Sequence, residues 1–70
     1  MVTTTYEARS GSRTVTGTCL PGTVERNVWR AAYLAWDGLA AEPATVTLAE
    51  DTGSIVWAGT VHPEGHVVPA

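Results

Sequence analysis

The stretch that decides the fold is residues 44–61, which read ATVTLAEDTGSIVWAGTV. Apolar and polar side chains alternate over 44–50, and an apolar run over 54–61 follows the turn-forming residues 51–53. Two such runs joined by a short turn that contains Gly are typical of an antiparallel β-hairpin. The alternation places four residues on one face of the second strand: Ile55, Trp57, Gly59 and Val61.

A second hairpin is predicted at the other end of the chain, from strands at 2–8 and 14–20 around a polar turn, RSGSR, at 9–13. Gly17 lies inside the second of these strands. Glycine there indicates a bulge or the close approach of another element, such as a crossing helix.

A helix is predicted between the two hairpins. Residues 21–23 (PGT) break the strand, and Thr23 is a suitable N-cap for a helix that begins at Val24. The helix should run to about Leu39 or Ala41, ahead of Pro43, although Gly38 could end it a turn earlier.

The helix carries two adjoining stripes at 100° per residue, one small and one aromatic. The small stripe, suited to packing closely on a sheet, is Val24, Val28, Ala31, Ala32, Ala35 and Leu39. The aromatic stripe is Trp29, Tyr33, Trp36 and Ala40. The remaining side, expected to be solvated, carries Arg26, Arg30 and Asp37.

These elements predict an α+β fold in the order ββαββ, a four-stranded antiparallel sheet with one helix packed across one face. Residues 1–61 would form a single domain. Residues 62–70 read as a C-terminal tail, with a short extra strand at 66–68 as an option.

Composition narrows the function classes. The net charge is −3, the four basic residues are all Arg, and clustered positive charge of the kind that nucleic-acid binding requires is missing. The N-terminal residues lack the pattern of a signal peptide, no apolar run is long enough to span a membrane, and Cys19 is the one cysteine, so we expect a cytoplasmic protein. The bias toward Ala, Val, Gly, Thr and Arg suggests an actinobacterial or phage origin.

Three patterns that could carry chemistry are better explained as structure. His62 and His66 have a metal-ligand spacing, but Pro63 and Gly65 break the helix that would align them. Cys19 alternates with apolar strand positions and fits a small buried side chain. The triplet DTG at 51–53 reads as a turn. We therefore expect no enzyme activity, cofactor or metal.

Two functions remain. The apolar arc of the helix is wider than one sheet buries, which favours a protein-binding or regulatory module acting alone or as a homodimer. Its partner-binding residues would be Trp29, Tyr33, Trp36, Arg26 and Arg30. The alternative is a purely structural role, in which the aromatic side chains only fold over the edge of the sheet. The alternative function is nucleic-acid binding through the Arg26/Arg30 side or through a threonine-bearing sheet face with Thr3, Thr5, Thr14, Thr16, Thr45 and Thr47.

Overall fold

The computed structural model describes residues 2–39 and 41–70, and it shows an α+β fold with one helix packed on an antiparallel sheet. The elements in chain order are β1 (Thr4–Ser10), β2 (Arg13–Thr18), α1 (Val24–Trp36), β3 (Ala44–Glu50), β4 (Ile55–Val61) and β5 (Val67–Pro69). The predicted class is confirmed; the sheet has five strands rather than four, and the fifth, Val67–Pro69, lies close to the optional extra strand predicted at 66–68.

The sheet order is β2-β1-β3-β4-β5, and every neighbouring pair is antiparallel. The fifth strand exists because the chain reverses after β4. The N–H of His62 donates to the carbonyl of His66 over 2.9 Å, and Gly65 has a φ of 118° in the loop between them. Three residues are too few for an alternation pattern to establish a strand, so the sequence predicts this one only as an option.

The turn between β1 and β2 is tighter than predicted. Ser10 pairs with Arg13, so the loop is Gly11 and Ser12 alone, and Arg9 lies within β1. Gly11 has a φ of 59°, the sign that a type II′ turn requires at its first loop position.

The helix begins as predicted and ends at Trp36, which agrees with the earlier of the two predicted ends, beside Gly38. The Thr23 side chain accepts a hydrogen bond from the Arg26 N–H over 3.1 Å. At the other end Asp37 is left-handed with a φ of 50°, and its N–H donates to Tyr33 O over 3.0 Å. Leu39 therefore lies beyond the helix and is 79% exposed, rather than in the small stripe.

Arg13 supplies the positive charge that the last turn of the helix lacks. Its Nη2 donates to the Leu34 carbonyl over 3.4 Å and lies 3.7 Å from the Asp37 carboxylate. A cation beside the last carbonyls of a helix opposes the negative end of its dipole. Arg13 is thus a helix-end contact as well as part of the hairpin.

Asn27 fastens the start of the helix to the segment that precedes it. This buried side chain accepts from the Leu20 N–H over 2.9 Å and donates to the carbonyls of Leu20 (2.9 Å) and Thr23 (3.1 Å). A buried amide is favourable when its polar atoms are paired in this way. The helix therefore has a fixed position over the end of β2.

The core lies between the helix and one face of the sheet. The buried part of the small stripe is Val28, Ala31, Ala32 and Ala35. The sheet contributes the buried side chains of Tyr6, Ala8, Ala44, Val46, Leu48 and Val61. Val24, the first residue of the predicted stripe, is 43% exposed instead. Ala40, assigned to the aromatic stripe, lies outside the described residues.

An irregularity in the β3–β4 pairing removes one residue from the face that alternation predicts for β4. Leu48 pairs with Trp57, but its neighbour Ala49 pairs with Ile55, so β4 carries one extra residue at this point. A bulge of this kind interrupts the two-residue alternation. Ile55 consequently does not share the face of Trp57 and Val61, and it is 61% exposed.

Among residues 2–39 and 41–70, no helix has the length and apolarity needed to cross a membrane.

Candidate functional site

The aromatic stripe of the helix runs from the core to the surface. Trp36 is buried, Trp29 is half-buried, and Tyr33 is 63% exposed. The Tyr33 ring centroid lies 5.8 Å from that of Trp29 and 5.6 Å from that of Trp36, the second pair being edge-to-face. Two of the three predicted aromatic contact residues therefore remain open to a partner.

An apolar groove lies between α1 and the β4–β5 hairpin, with a volume of about 440 Å³. The helix packs mainly on β1 and β3 and only slightly on β4, so the last two strands are left partly uncovered. The apolar residues that line the groove are Val24, Val28, Trp29, Trp57, Val67 and Pro69, and Glu25 lies with them. Trp29 comes from the helix and Trp57 from the sheet, and both are half-buried.

Gly59 shapes the sheet side of this groove. A Cβ at this position would lie 2.6 Å from the end of the Trp57 ring and 2.6 Å from the Val68 carbonyl oxygen. The missing side chain lets the indole lie along β4 and lets β5 approach closely. Trp57, Val67 and Pro69 were not predicted as contact residues, and the one sequence signal for them is this glycine two residues after a tryptophan.

A second apolar depression adjoins the groove at the N-terminal end of the helix, with a volume of about 400 Å³. Its exposed apolar side chains are Val2, Leu20, Val24 and Val56. Val24 lines both depressions, so the apolar surface is continuous around the start of α1. Contiguous apolar surface of this kind is typical of interaction sites.

Arg26 and Arg30 lie on the other side of the helix from the groove. They line a small pocket together with Leu20, Pro21 and Asn27, toward β1 and β2. Arg26 is exposed as predicted, but Arg30 is half-buried and its guanidinium carbon lies 5.7 Å from the centroid of the Tyr6 ring. The prediction of a solvated Arg30 is wrong, because Tyr6 draws the guanidinium onto its ring.

One nitrogen of Arg30, Nη1, is buried without a hydrogen-bond partner among the described residues. The Arg30 charge also acts on Cys19. Burial raises the pKa of the half-buried Cys19 thiol, and the positive charge of Arg30 partly opposes that rise. A thiol with a raised pKa is a poor nucleophile at neutral pH.

The sheet face away from the helix carries the predicted threonines. Four of these threonines lie on strands and are exposed: Thr5, Thr14, Thr16 and Thr45. Thr47 is half-buried. Thr3 is exposed and precedes β1. Glu7 and Arg9 alternate with the buried residues of β1, so they project from the same face, and their charges cancel. This surface and the Arg26/Arg30 pocket lie on opposite sides of the sheet.

The two histidines stack at the β4–β5 turn. The ring centroids of His62 and His66 are 4.1 Å apart with an interplanar angle of 15°. Within residues 2–39 and 41–70, no cluster of three or more His, Cys, Asp or Glu side chains could hold a metal ion. Residues 51–53 form the β3–β4 turn, closed by the Gly53 N–H donating to Glu50 O over 2.9 Å.

Comparison of the chain with models of protein families, with curated proteins and with solved structures gives no significant match.

Proposed function

We propose that this chain is a small non-enzymatic protein-binding module that recognises its partner through the groove between α1 and the β4–β5 hairpin. The observation that carries this proposal is the pair Trp29 and Trp57, which line one groove from two different elements and are both left half-exposed. Tryptophan is enriched among the residues that dominate binding energy at protein interfaces.

The residues that line the groove indicate which kind of partner segment it would bind. Its walls are aliphatic and aromatic, so an inserted segment should present a large apolar side chain as its anchor. Glu25 also lines the groove and is exposed. A basic residue beside the apolar anchor would therefore meet a carboxylate at the rim, where charge contributes to specificity and association rate.

The proposed surface includes some of the partner-binding residues that were predicted from the helix alone. Trp29 belongs to the groove, and Tyr33 extends it along the helix through its contact with the Trp29 ring. Trp36 is not accessible, since it is buried. Arg26 and Arg30 face a different pocket and have no part in this groove.

The test uses dodecapeptides selected from a random phage-displayed library against the pure protein. Selected peptides should contain aromatic or large aliphatic residues, and their binding should shift the fluorescence of the half-exposed Trp29 and Trp57. We expect dissociation constants in the micromolar range, about 8 kcal/mol of binding free energy.

Val67 and Val68 provide a matched pair of variants on one strand. Val67 lines the groove, whereas Val68 is exposed and is not among the residues lining it. Val67→Ser should weaken peptide binding about tenfold, which corresponds to ~1.4 kcal/mol, and Val68→Ser should leave it unchanged. Equal effects of the two substitutions, or selected peptides without large apolar residues, would count against the groove.

Nucleic-acid binding is the second candidate, and the exposed threonines of the open sheet face are the observation in its favour. Its weakness is charge, since Glu7 offsets Arg9 on that face. The discriminating measurement is fluorescence anisotropy of labelled duplex and single-stranded oligonucleotides at ~50 mM salt, where phosphate contacts are strong. Binding that weakens steeply as salt is raised would favour this candidate over the peptide groove.

A further inference from the structure

The two edges of the sheet differ in their capacity to pair with another strand. β5 has three residues and ends in Pro69. Ala70 N–H donates to Ala58 O over 2.9 Å, so residue 70 faces β4, and its neighbour at 69 faces outward. Proline has no N–H to offer at that outward position. Short length and proline are devices that protect an edge strand from pairing.

β2, at the opposite edge, has no such protection. It has six residues, RTVTGT, without proline, lysine or an acidic side chain. Its single charge, Arg13, is directed at the helix end through Leu34 and Asp37. An extended edge strand whose one charge is engaged elsewhere in the chain is a template for pairing with a second strand.

The outward-facing groups of β2 can be identified from its pairing with β1. Cys19 N–H donates to Thr4 O over 2.8 Å, and inward and outward positions alternate along an antiparallel strand. The inward positions are therefore Val15 and Gly17. The outward N–H and C=O groups belong to Thr14, Thr16 and Thr18, whose side chains also face the open side of the sheet.

We propose that β2 pairs with β2 of a second copy of this chain in an antiparallel, two-fold arrangement. Thr16 would lie opposite Thr16 of the second copy, and Thr14 opposite Thr18. This register uses all three outward positions on each strand and forms about six hydrogen bonds, two for each such pair. It joins two five-stranded sheets into one of ten strands.

Side-chain shape favours a second copy over an unrelated strand. In this register Val15 lies opposite Gly17 of the second copy, on the helix-covered face. Val15 is half-buried, so it has apolar surface left to bury, and the side chain it would meet is the Tyr6 ring that lies over Gly17 of the second copy. The symmetry repeats this contact twice, which is how a self-complementary interface forms.

Charge does not oppose the pairing. Glu7 is the acidic residue nearest the two-fold axis, because it pairs with Thr16 across β1 and β2. The two Glu7 side chains would be separated by three strand spacings, roughly 14 Å. That distance exceeds the screening length of ~8 Å at physiological salt. Pairing stops at two copies because the β5 edge is protected.

The dimer would leave the peptide groove free. The groove lies beside β4 and β5, at the other edge of the sheet, so two grooves would face away from the two-fold axis. Such a dimer is bivalent and gains avidity for a partner that carries two binding segments. The dimer itself does not depend on the proposed function.

Size-exclusion chromatography with light scattering over a range of concentrations tests the proposal. Wild type should approach twice the 7.4 kDa monomer mass as concentration rises. Thr16→Lys places two like charges directly opposite each other and should raise the dimer dissociation constant about tenfold or more. Thr5→Lys adds the same charge to the open face of β1 and should dimerise as wild type does.

Amide hydrogen exchange of wild type, read by NMR, identifies the edge without any substitution. The amides of Thr14, Thr16 and Thr18 should become protected as the dimer forms, while Val15 and Gly17 are protected at all concentrations. A wild type that stays monomeric, a Thr16→Lys variant that dimerises normally, or a dimer whose outward β2 amides exchange freely would each overturn the proposal. Peptide binding measured on the monomeric Thr16→Lys variant tests the groove independently of dimer formation.

Discussion

The indole Nε1–H of Trp36 donates a hydrogen bond to the backbone carbonyl oxygen of Glu42 over 2.7 Å. This bond joins the last turn of α1 to the segment that leads into β3. Trp36 is 4% exposed, so its ring fills the core while its one polar atom is paired within the chain. Trp36 therefore holds the fold together, and its side chain is buried rather than presented at the surface.

We expect Trp36→Ala to lose about 3–5 kcal/mol of unfolding free energy. A core in a chain of this size yields only ~3–5 kcal/mol in total, so the variant should be largely unfolded. Trp36→Phe keeps most of the apolar volume and should lose about 1–2 kcal/mol, largely from the missing hydrogen bond. Urea denaturation followed by circular dichroism measures both.

Tyr33→Ala is the control for the two Trp36 variants, because the Tyr33 side chain is mostly exposed. Its unfolding free energy should stay within about 1 kcal/mol of wild type. A Trp36→Ala variant with a wild-type urea midpoint would show that the ring does not support the core.

The Tyr6 ring occupies the space that a side chain at residue 17 would need, so this position requires glycine. A Cβ at residue 17 would lie 2.5 Å from the Tyr6 hydroxyl oxygen and 2.7 Å from the ring carbon that bears it. Gly17→Ala should therefore lose about 1–3 kcal/mol of unfolding free energy. Moving the ring also disturbs the Arg30 guanidinium packed on it.

A double-mutant cycle checks the cause of the Gly17 effect. In a Tyr6→Leu background the ring is gone, so adding Gly17→Ala should cost at least about 1 kcal/mol less than in wild type. Equal costs in the two backgrounds would place the strain in the strand backbone instead.

Local sequence signals were sufficient for most of the fold. The β3 boundaries, the Thr23 cap and the four central residues of the small stripe each depend on neighbouring residues, and each agrees with the structure. Alternation and capping are local effects that a single sequence displays.

The remaining features depend on contacts between distant residues. β5 forms because β4 offers it an unpaired edge, and Arg30 is half-buried because Tyr6, 24 positions earlier, lies beneath it. The groove joins Trp29 to Trp57 across two elements. No periodicity within one segment carries information about such pairs, so the helix sequence alone does not predict the groove.

Cys19 should react slowly with alkylating agents in the folded protein. Burial raises its thiol pKa, and Arg30 opposes the rise, so at mildly alkaline pH less thiolate is present than in an unfolded chain. Because the folded state favours the protonated thiol, this group's contribution to stability is lost as pH rises through the folded pKa.

Iodoacetamide kinetics followed by mass spectrometry measure the Cys19 rate, which should increase in urea. Arg30→Gln removes the opposing charge and should slow the native reaction further. A native rate equal to that of the urea-unfolded chain would show that neither burial nor the raised pKa protects the thiol.

Ile55 and Val61 test whether the β4 bulge decides which residues of that strand enter the core. Simple alternation gives both the same buried face, yet Ile55 is 61% exposed and Val61 is fully buried. Ile55→Thr should change the unfolding free energy by no more than about 0.5 kcal/mol. Val61→Thr keeps the β-branched shape but buries a hydroxyl, and it should lose about 1–3 kcal/mol. Urea midpoints measured side by side decide the matter, since equal losses would mean that Ile55 packs in the core and that the register shift after Leu48 does not exist in solution.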